Sequence, residues 1–372
     1  MIKPKKTAAA LIVALLLVFA AACGQSNGPA AGGSPSAGAS PDASASASAS
    51  SSPSAEPGAG ATVAPKELVT IKFSEVIRSI FYAPYYVAIS RGFFADEGIK
   101  LDMNTAQGSD KGAAALIAGT ADISLVGPET AIYIYNQKGD KKLKVFYQLT
   151  MKDGSFLLSR DKADAFDWGS LKGKKIIGWR PGSAPQMVMA STLKEKGADG
   201  ANVVTNIAAP AMAGAFTSGQ GDYIQLFEPV ASTLIAQGKA YYVASVGETY
   251  GDFPETSFVA TSDYIDKNPQ VIQGFVNAVA KATEWLTQAS DEEIAEALAP
   301  YFEGTPKERI VDSVNRYKNQ DTWPAMPELT AAAFDKLQSV LIENGVLKSA
   351  DKVADMNEIA DMRFVQNIGK AG

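Results

Sequence analysis

No histidine occurs anywhere in the 372 residues, and there is a single cysteine, Cys23. Without imidazole there is no Ser-His-Asp or Cys-His catalysis and no histidine-based zinc site, and one thiol builds neither a thiolate metal centre nor a disulfide within the chain. Enzyme chemistry is left with carboxylates, as in a two-acid glycosidase, and no spacing singles out an acid pair for that work. Basic blocks interleaved with aromatics are missing too, and 34 Lys and Arg against 40 Asp and Glu leave a net charge of −6. A surface that tracks nucleic-acid phosphates is excluded. Neither a metal, nor a cofactor, nor nucleic acid is expected.

The amino terminus carries Lys3, Lys5 and Lys6, then an apolar run over 7–19 that is too short and too early for a mature spanning helix, then small residues at Ala20 to Ala22. That is the pattern of an export signal. The segment resembles the bacterial lipoprotein signal, which implies that the Cys23 thiol receives a diacylglycerol and becomes the first mature residue. Ala20 departs from the Leu usual there. The expected location is the outer face of the cytoplasmic membrane, at a cell surface or in a periplasm. Cleavage removes three lysines and no acid, taking the net charge from −6 to −9.

Residues 24–65 are nearly all Gly, Ala, Ser and Pro. Such a stretch buries too little apolar surface to offset its chain entropy and reads as a tether, with a root-mean-square reach of about 35 Å. The expected organisation is a signal at 1–22, the lipidated cysteine and tether at 23–66, a first lobe over 67–160, a second over 161–250, and a return to the first lobe with carboxyl-terminal helices over 251–372.

From Leu68 strand and helix patterns alternate. Strands are predicted at Val69–Phe73, Ile99–Met103, Ile123–Val126, Lys144–Leu149 and Phe156–Ser159, with helices over Tyr85–Phe94 and Ser109–Ala118 and a further one opened by Pro128. A second round places strands at Lys175–Trp179, Asn202–Asn206 and Tyr223–Phe227 and helices at Gln186–Lys196 and Ala211–Thr217. Strands separated by single helices imply parallel pairing and an α/β fold. The rounds match at an offset of 100 residues, where Gly119-Thr120-Ala121-Asp122 aligns with Gly219-Gln220-Gly221-Asp222, and Pro128-Glu129 is echoed by Glu228-Pro229. After the strand Ser257–Thr261 only helical periodicity follows, over Gln270–Gln288, Asp291–Leu298, Pro306–Tyr317 and Leu329–Glu343. These late helices are expected to complete the first lobe and brace its outside.

The stretches Tyr82-Ala83-Pro84-Tyr85-Tyr86-Val87-Ala88 and Arg91-Gly92-Phe93-Phe94-Ala95-Asp96-Glu97-Gly98-Ile99, followed in order by Gly119 to Ile123, Leu171 to Gly178 and Glu228-Pro229, resemble the SsuA/THI5-like (NMT1-type) binding-protein family over about residues 68–345. The resemblance implies a type II periplasmic-binding-protein fold, in which two α/β lobes joined by a hinge close on a small molecule and present it to an ABC importer. Some relatives in that family are enzymes that use a histidine, which this chain lacks, so no enzyme activity is expected; the expected protein is a monomer whose partners are the small-molecule ligand, the permease and, through the lipid, the membrane. Ligands across that family include nitrate, taurine, alkanesulfonates, thiamine pyrimidine precursors and riboflavin. A surface sensor with the same fold, or a histidine-free carboxylate enzyme, is the alternative.

Ligands of open α/β sheets gather beyond the carboxyl ends of the strands. That rule selects the loops Glu75–Tyr82, Gln107–Lys111, Gly127–Glu129, Arg180–Gln186, Ala208–Met212 and Phe227–Pro229. The candidate ligand-binding residues are Arg78, Tyr82, Gln107, Ser109, Asp110, Glu129, Arg180, Ser183 and Glu228. Ser109 and Ser183 precede predicted helices, either as plain N-caps or as donors to an anionic oxygen. Arg78 and Arg180 are cations an anion would use, whereas Asp110, Glu129 and Glu228 would disfavour one. Glu129 facing Glu228 across a cleft would suit a donor-bearing ring such as an aminopyrimidine. Tyr85 and Tyr86 are expected to pack inside their helix, and Trp179 either to wall the cleft or to be buried in packing.

Overall fold

The computed structural model describes residues 68–370, so Cys23, the export signal and the tether lie outside the described residues. Among the described residues ten strands form two five-stranded sheets. They are β1 (Val69–Glu75), β2 (Ile99–Thr105), β3 (Ile123–Val126), β4 (Leu143–Thr150), β5 (Phe156–Ser159), β6 (Lys175–Ile177), β7 (Asn202–Val204), β8 (Tyr223–Leu226), β9 (Tyr241–Ser245) and β10 (Thr256–Thr261). The first sheet runs β2-β1-β3-β10-β4 and the second β7-β6-β8-β5-β9. The two orders correspond position by position.

Parallel pairing holds within β2-β1-β3 and β7-β6-β8, where helices connect the strands. It fails for β10 and β5, which run antiparallel to both of their neighbours. Each of these strands enters its sheet from the other lobe rather than through a helical crossover, so no right-handed βαβ unit sets its direction. Phe156–Ser159, grouped with the first lobe by sequence, pairs in the second sheet. The chain therefore crosses at residues 151–155 and returns at 246–255.

The 100-residue echo has a physical reason. The helices Ser109–Ala118 and Ala209–Thr217 are each followed within two residues by a left-handed glycine, Gly119 at φ 73° and Gly219 at φ 101°. Asp122 Oδ2 then accepts the Lys72 N–H of β1 at 2.9 Å, and Asp222 Oδ2 accepts the Lys175 N–H of β6 at 2.8 Å. In both lobes a carboxylate answers the first strand where its neighbour has not yet begun.

The first sheet is covered by the helix Pro269–Gln288, which buries Ile272, Phe275, Val276, Val279, Ala282 and Leu286 at helical spacing. Phe275 meets Phe258 of β10 edge-on at 4.8 Å between ring centroids. The helix Lys307–Asn319 does more than brace the outside, because it reaches the crossings. Tyr317 Oη donates to the Gly154 carbonyl at 2.9 Å and accepts the Glu228 N–H at 3.1 Å.

The two crossings run together. The Phe253 N–H bonds the Met151 carbonyl at 2.8 Å and the Val246 N–H bonds the Ser155 carbonyl at 3.0 Å. A Cβ at Gly247 would stand 2.1 Å from the Asp153 backbone oxygen, and one at Gly154 would stand 2.3 Å from the Phe81 ring. Only glycine admits that approach.

Candidate functional site

The carboxyl ends of β1, β2, β6, β7 and β8 converge on a cavity of about 400 Å³. That is within the range of small-molecule sites. The first lobe lines it with Val76, Ile77, Tyr82 and Gln107 to Lys111, and the second with Trp179, Arg180, Ser183 to Pro185, Ile207 to Pro210 and Phe227. Glu255 and Thr256, where the return crossing enters β10, complete it. Most of the wall is apolar, and Trp179 packs edge-on against Phe227 at 5.0 Å. The Trp179 indole N–H has no partner.

Six residues selected from sequence line this cavity: Tyr82, Gln107, Ser109, Asp110, Arg180 and Ser183. Gln107 turns the chain out of β2 at φ 62°. Ser109 is already inside its helix and accepts the Gly127 N–H at 3.2 Å. Ser183 occupies the N-cap position of the helix Ala184–Glu195 but makes no capping bond, its hydroxyl donating to the Arg180 carbonyl at 2.7 Å. Arg180 Nη2 meets Asp110 Oδ1 at 3.0 Å, an ion pair between the lobes at the cavity wall. A Cβ at Gly108 would fall 2.5 Å from that Asp110 oxygen.

Glu129 is not part of the lining; it lies behind, fully buried, with Oε2 unpartnered. Burial pushes its carboxyl up to about 7, opposed by its own N–H, by Arg180 and by the Ala184 N–H. Beside it, Tyr133 Oη donates to the Gly182 carbonyl at 3.2 Å.

Besides Glu129, two further selections are corrected. Arg78 is absent from the lining and binds Glu75 Oε1 at 2.9 Å. The buried Glu75 also accepts the Thr105 hydroxyl at 2.6 Å and both the Tyr85 and Tyr86 hydroxyls, so its need for donors holds Arg78 away from the cavity. Glu228 does not face Glu129 across a cleft. It is buried at the start of the helix Val230–Ala236, where Arg316 Nη1 lies 3.1 Å from Oε1 and the Ser232 N–H donates to Oε2 at 2.9 Å. Helix-start donors and one guanidinium satisfy it locally.

The site's most consequential residue was missed by the strand-end rule, because Glu255 precedes an antiparallel strand instead of following a parallel one. An acid directly before the apolar run of β10 was the signal available. Glu255 is 3 % exposed and its Oε2 has no partner. Burial, then the neighbouring carboxylates of Asp153 and Glu129, push its carboxyl well above the usual range. Asp153, in the opposite crossing, accepts the Ser155 N–H and hydroxyl at Oδ1, leaves Oδ2 unpartnered, and has its carboxyl pushed up to about 6 by burial. Tyr82 lies among these acids, its phenol raised by burial and then by Glu255, Glu75 and Glu129. Lys111, which ends a selected loop but was not singled out from it, stands exposed on the lining.

Comparison with known proteins adds four findings. A family model described as NMT1/THI5 like matches residues 80–293. The protein YtlA of Bacillus subtilis (strain 168) is 40 % identical over 283 residues, covering 75 % of this chain and 85 % of YtlA. Among solved structures, the alkanesulfonate-binding protein SsuA from Xanthomonas axonopodis pv. citri, bound to MOPS, superposes with a TM-score of 0.65 at 17 % identity, covering 79 % of this chain and 99 % of its own. The periplasmic nitrate-binding protein NrtA from Synechocystis PCC 6803 has a TM-score of 0.65 at 20 % identity, covering 81 % of this chain and 88 % of its own. At these identities the two structures establish the shared fold.

Proposed function

The chain belongs to the NMT1/THI5-like family, and from that premise we propose that it is the exported, lipid-anchored solute-binding component of an ABC importer. It captures a small organic nutrient between its lobes and hands it to a permease. The observation that carries this reading is the cavity of about 400 Å³ built jointly by strand ends of both sheets and by the return crossing. A ligand touching both lobes stabilises their closed arrangement by its differential affinity, and closure is what a permease would read. Crossings joined by backbone hydrogen bonds suit such a hinge. Cys23 would supply the anchor and residues 24–65 the reach.

The ligand has an apolar body, since Tyr82, Trp179, Phe227, Ile77 and Pro210 dominate the wall. The orphan Trp179 N–H asks for an acceptor on it. A nitrate- or sulfonate-type anion is the weaker ligand reading here, because Arg180 is already engaged by Asp110 and Glu255 faces the same space.

The test is cellular. Wild-type cells and cells lacking the gene are grown in one rich medium, and depletion of small molecules is followed by mass spectrometry. One chemical class should remain in the medium of the deletion strain, and identical depletion would refute the transport role. Cys23→Ala should release folded protein from the membrane fraction; retention there would refute lipid anchoring.

A further inference from the structure

The cavity contains one charged group that the protein leaves incomplete. Glu255 lines it, is 3 % exposed, and has an oxygen with no partner. A buried carboxylate oxygen without a donor is unfavourable by itself. Its nearest acids aggravate the position: Asp153 on the other crossing and Glu129 on the first-lobe helix both bear on it, and each also has an oxygen unpartnered. Nothing positive among the described residues compensates at that depth. Arg180 is held by Asp110 at 3.0 Å, and Lys111 is exposed.

Resting on the solute-binding reading, we infer that the solute is an organic cation whose protonated nitrogen donates to Glu255. An ammonium, amidinium or protonated ring nitrogen supplies the missing donor and the missing charge in one group. The surrounding rings of Tyr82, Trp179 and Phe227 favour a cation and accept a flat apolar body. An anion placed there would meet Glu255 instead, with Glu129 and Asp153 behind it.

Glu255 is also the cavity residue carried by the return crossing, and its carboxylate bears on Asp153 in the other. A ligand cation offsets the charge that Glu255 takes on beside Asp153, between the two segments that join the lobes. Recognition and hinge geometry thus meet at one carboxylate. Binding draws Glu255 into its ionised form, so a proton leaves as the cation arrives. The titratable groups facing it are Asp153, Glu129 and Tyr82.

The experiment uses three probes of one shape and different charge, benzamidine, benzamide and benzenesulfonate, titrated calorimetrically into the full chain in a non-ionic detergent. Two buffers of different ionisation enthalpy count protons. The expected result is that benzamidine binds best, that wild-type protein releases a fraction of a proton near pH 6, and that Glu255→Gln weakens benzamidine about tenfold or more while melting cooperatively. The proton count needs no variant, so it stands even if Glu255→Gln fails to fold. Preference for benzenesulfonate, benzamidine binding without proton release, or benzamidine affinity unchanged in folded Glu255→Gln would overturn the inference. So would absence of benzamidine binding at millimolar concentration. None of these results touches the transport role, which falls only if the deletion strain depletes its medium as the wild type does.

Discussion

Replacing Glu129 by glutamine should stabilise the protein in a way that depends on pH. The folded carboxyl is pushed up to about 7 from an ordinary 4.5, with burial the leading cause. Between these values the unfolded chain has lost a proton that the folded chain keeps. The folded state then binds more protons, so the contribution of this group to stability falls as pH rises. Above about 7 both states are ionised and the penalty levels off at roughly 3 kcal/mol, from about 1.4 kcal/mol per pKa unit. Glutamine fits the same space, its oxygen can take the Ala184 N–H, and its amide occupies the position of the unpartnered Oε2. Lost attraction to Arg180 reduces the gain, leaving about 1–3 kcal/mol at pH 8 and almost none near pH 4.5. Reversible urea unfolding of both proteins at pH 8 and pH 5 measures it. An equal offset at both pH values, or destabilisation at pH 8, would refute the assignment of Glu129 as a desolvated acid.

Other consequences follow from the crossings and the wall. Gly247→Ala should lower stability by about 2–3 kcal/mol or prevent folding, because its Cβ would meet backbone 2.1 Å away rather than a yielding side chain; a melting temperature within a degree of wild type would contradict that. Tyr317→Phe removes a hydroxyl that joins the Gly154 carbonyl to the Glu228 N–H, and chemical unfolding should report a loss of about 1–3 kcal/mol. Asp110→Asn should change global stability by less than about 1 kcal/mol, since both members of its pair with Arg180 are substantially exposed. Stopped-flow dissociation should nevertheless quicken, and an unchanged release rate would show that this pair does not hold the lobes together.

Much of the fold was legible because each lobe repeats one rule: an apolar strand, a helix closed by glycine, and an aspartate before the next strand. The helix Ser109–Ala118 and the strands Ile123–Val126 and Phe156–Ser159 fall where periodicity places them. Strand β9 escaped because Tyr241 and Tyr242 are exposed and leave no apolar alternation. Direction in the sheets escaped as well, since antiparallel β5 and β10 owe it to crossings that carry no local signal. At the site, loops after parallel strands were readable from topology alone. Arg78 and Glu228 misled because a charge in such a loop reads alike whether it faces a ligand or a buried partner. Glu255 was hidden for the opposite reason, being a cavity-lining acid that directly precedes a strand.

The central claim is one small-molecule site shared by both lobes, and thermal melting of the full chain against a solute panel tests it most directly. The panel holds amidines, aminopyrimidines, riboflavin, taurine, alkanesulfonates and nitrate. A ligand at about a thousandfold over its dissociation constant adds about 4 kcal/mol, a shift of several degrees for a body of this size. The account predicts a saturable shift from one class, the nitrogen cations, that is lost when Phe227→Asp spoils the wall. A shift that survives that change would place binding elsewhere, and no shift from any solute would contradict the claim.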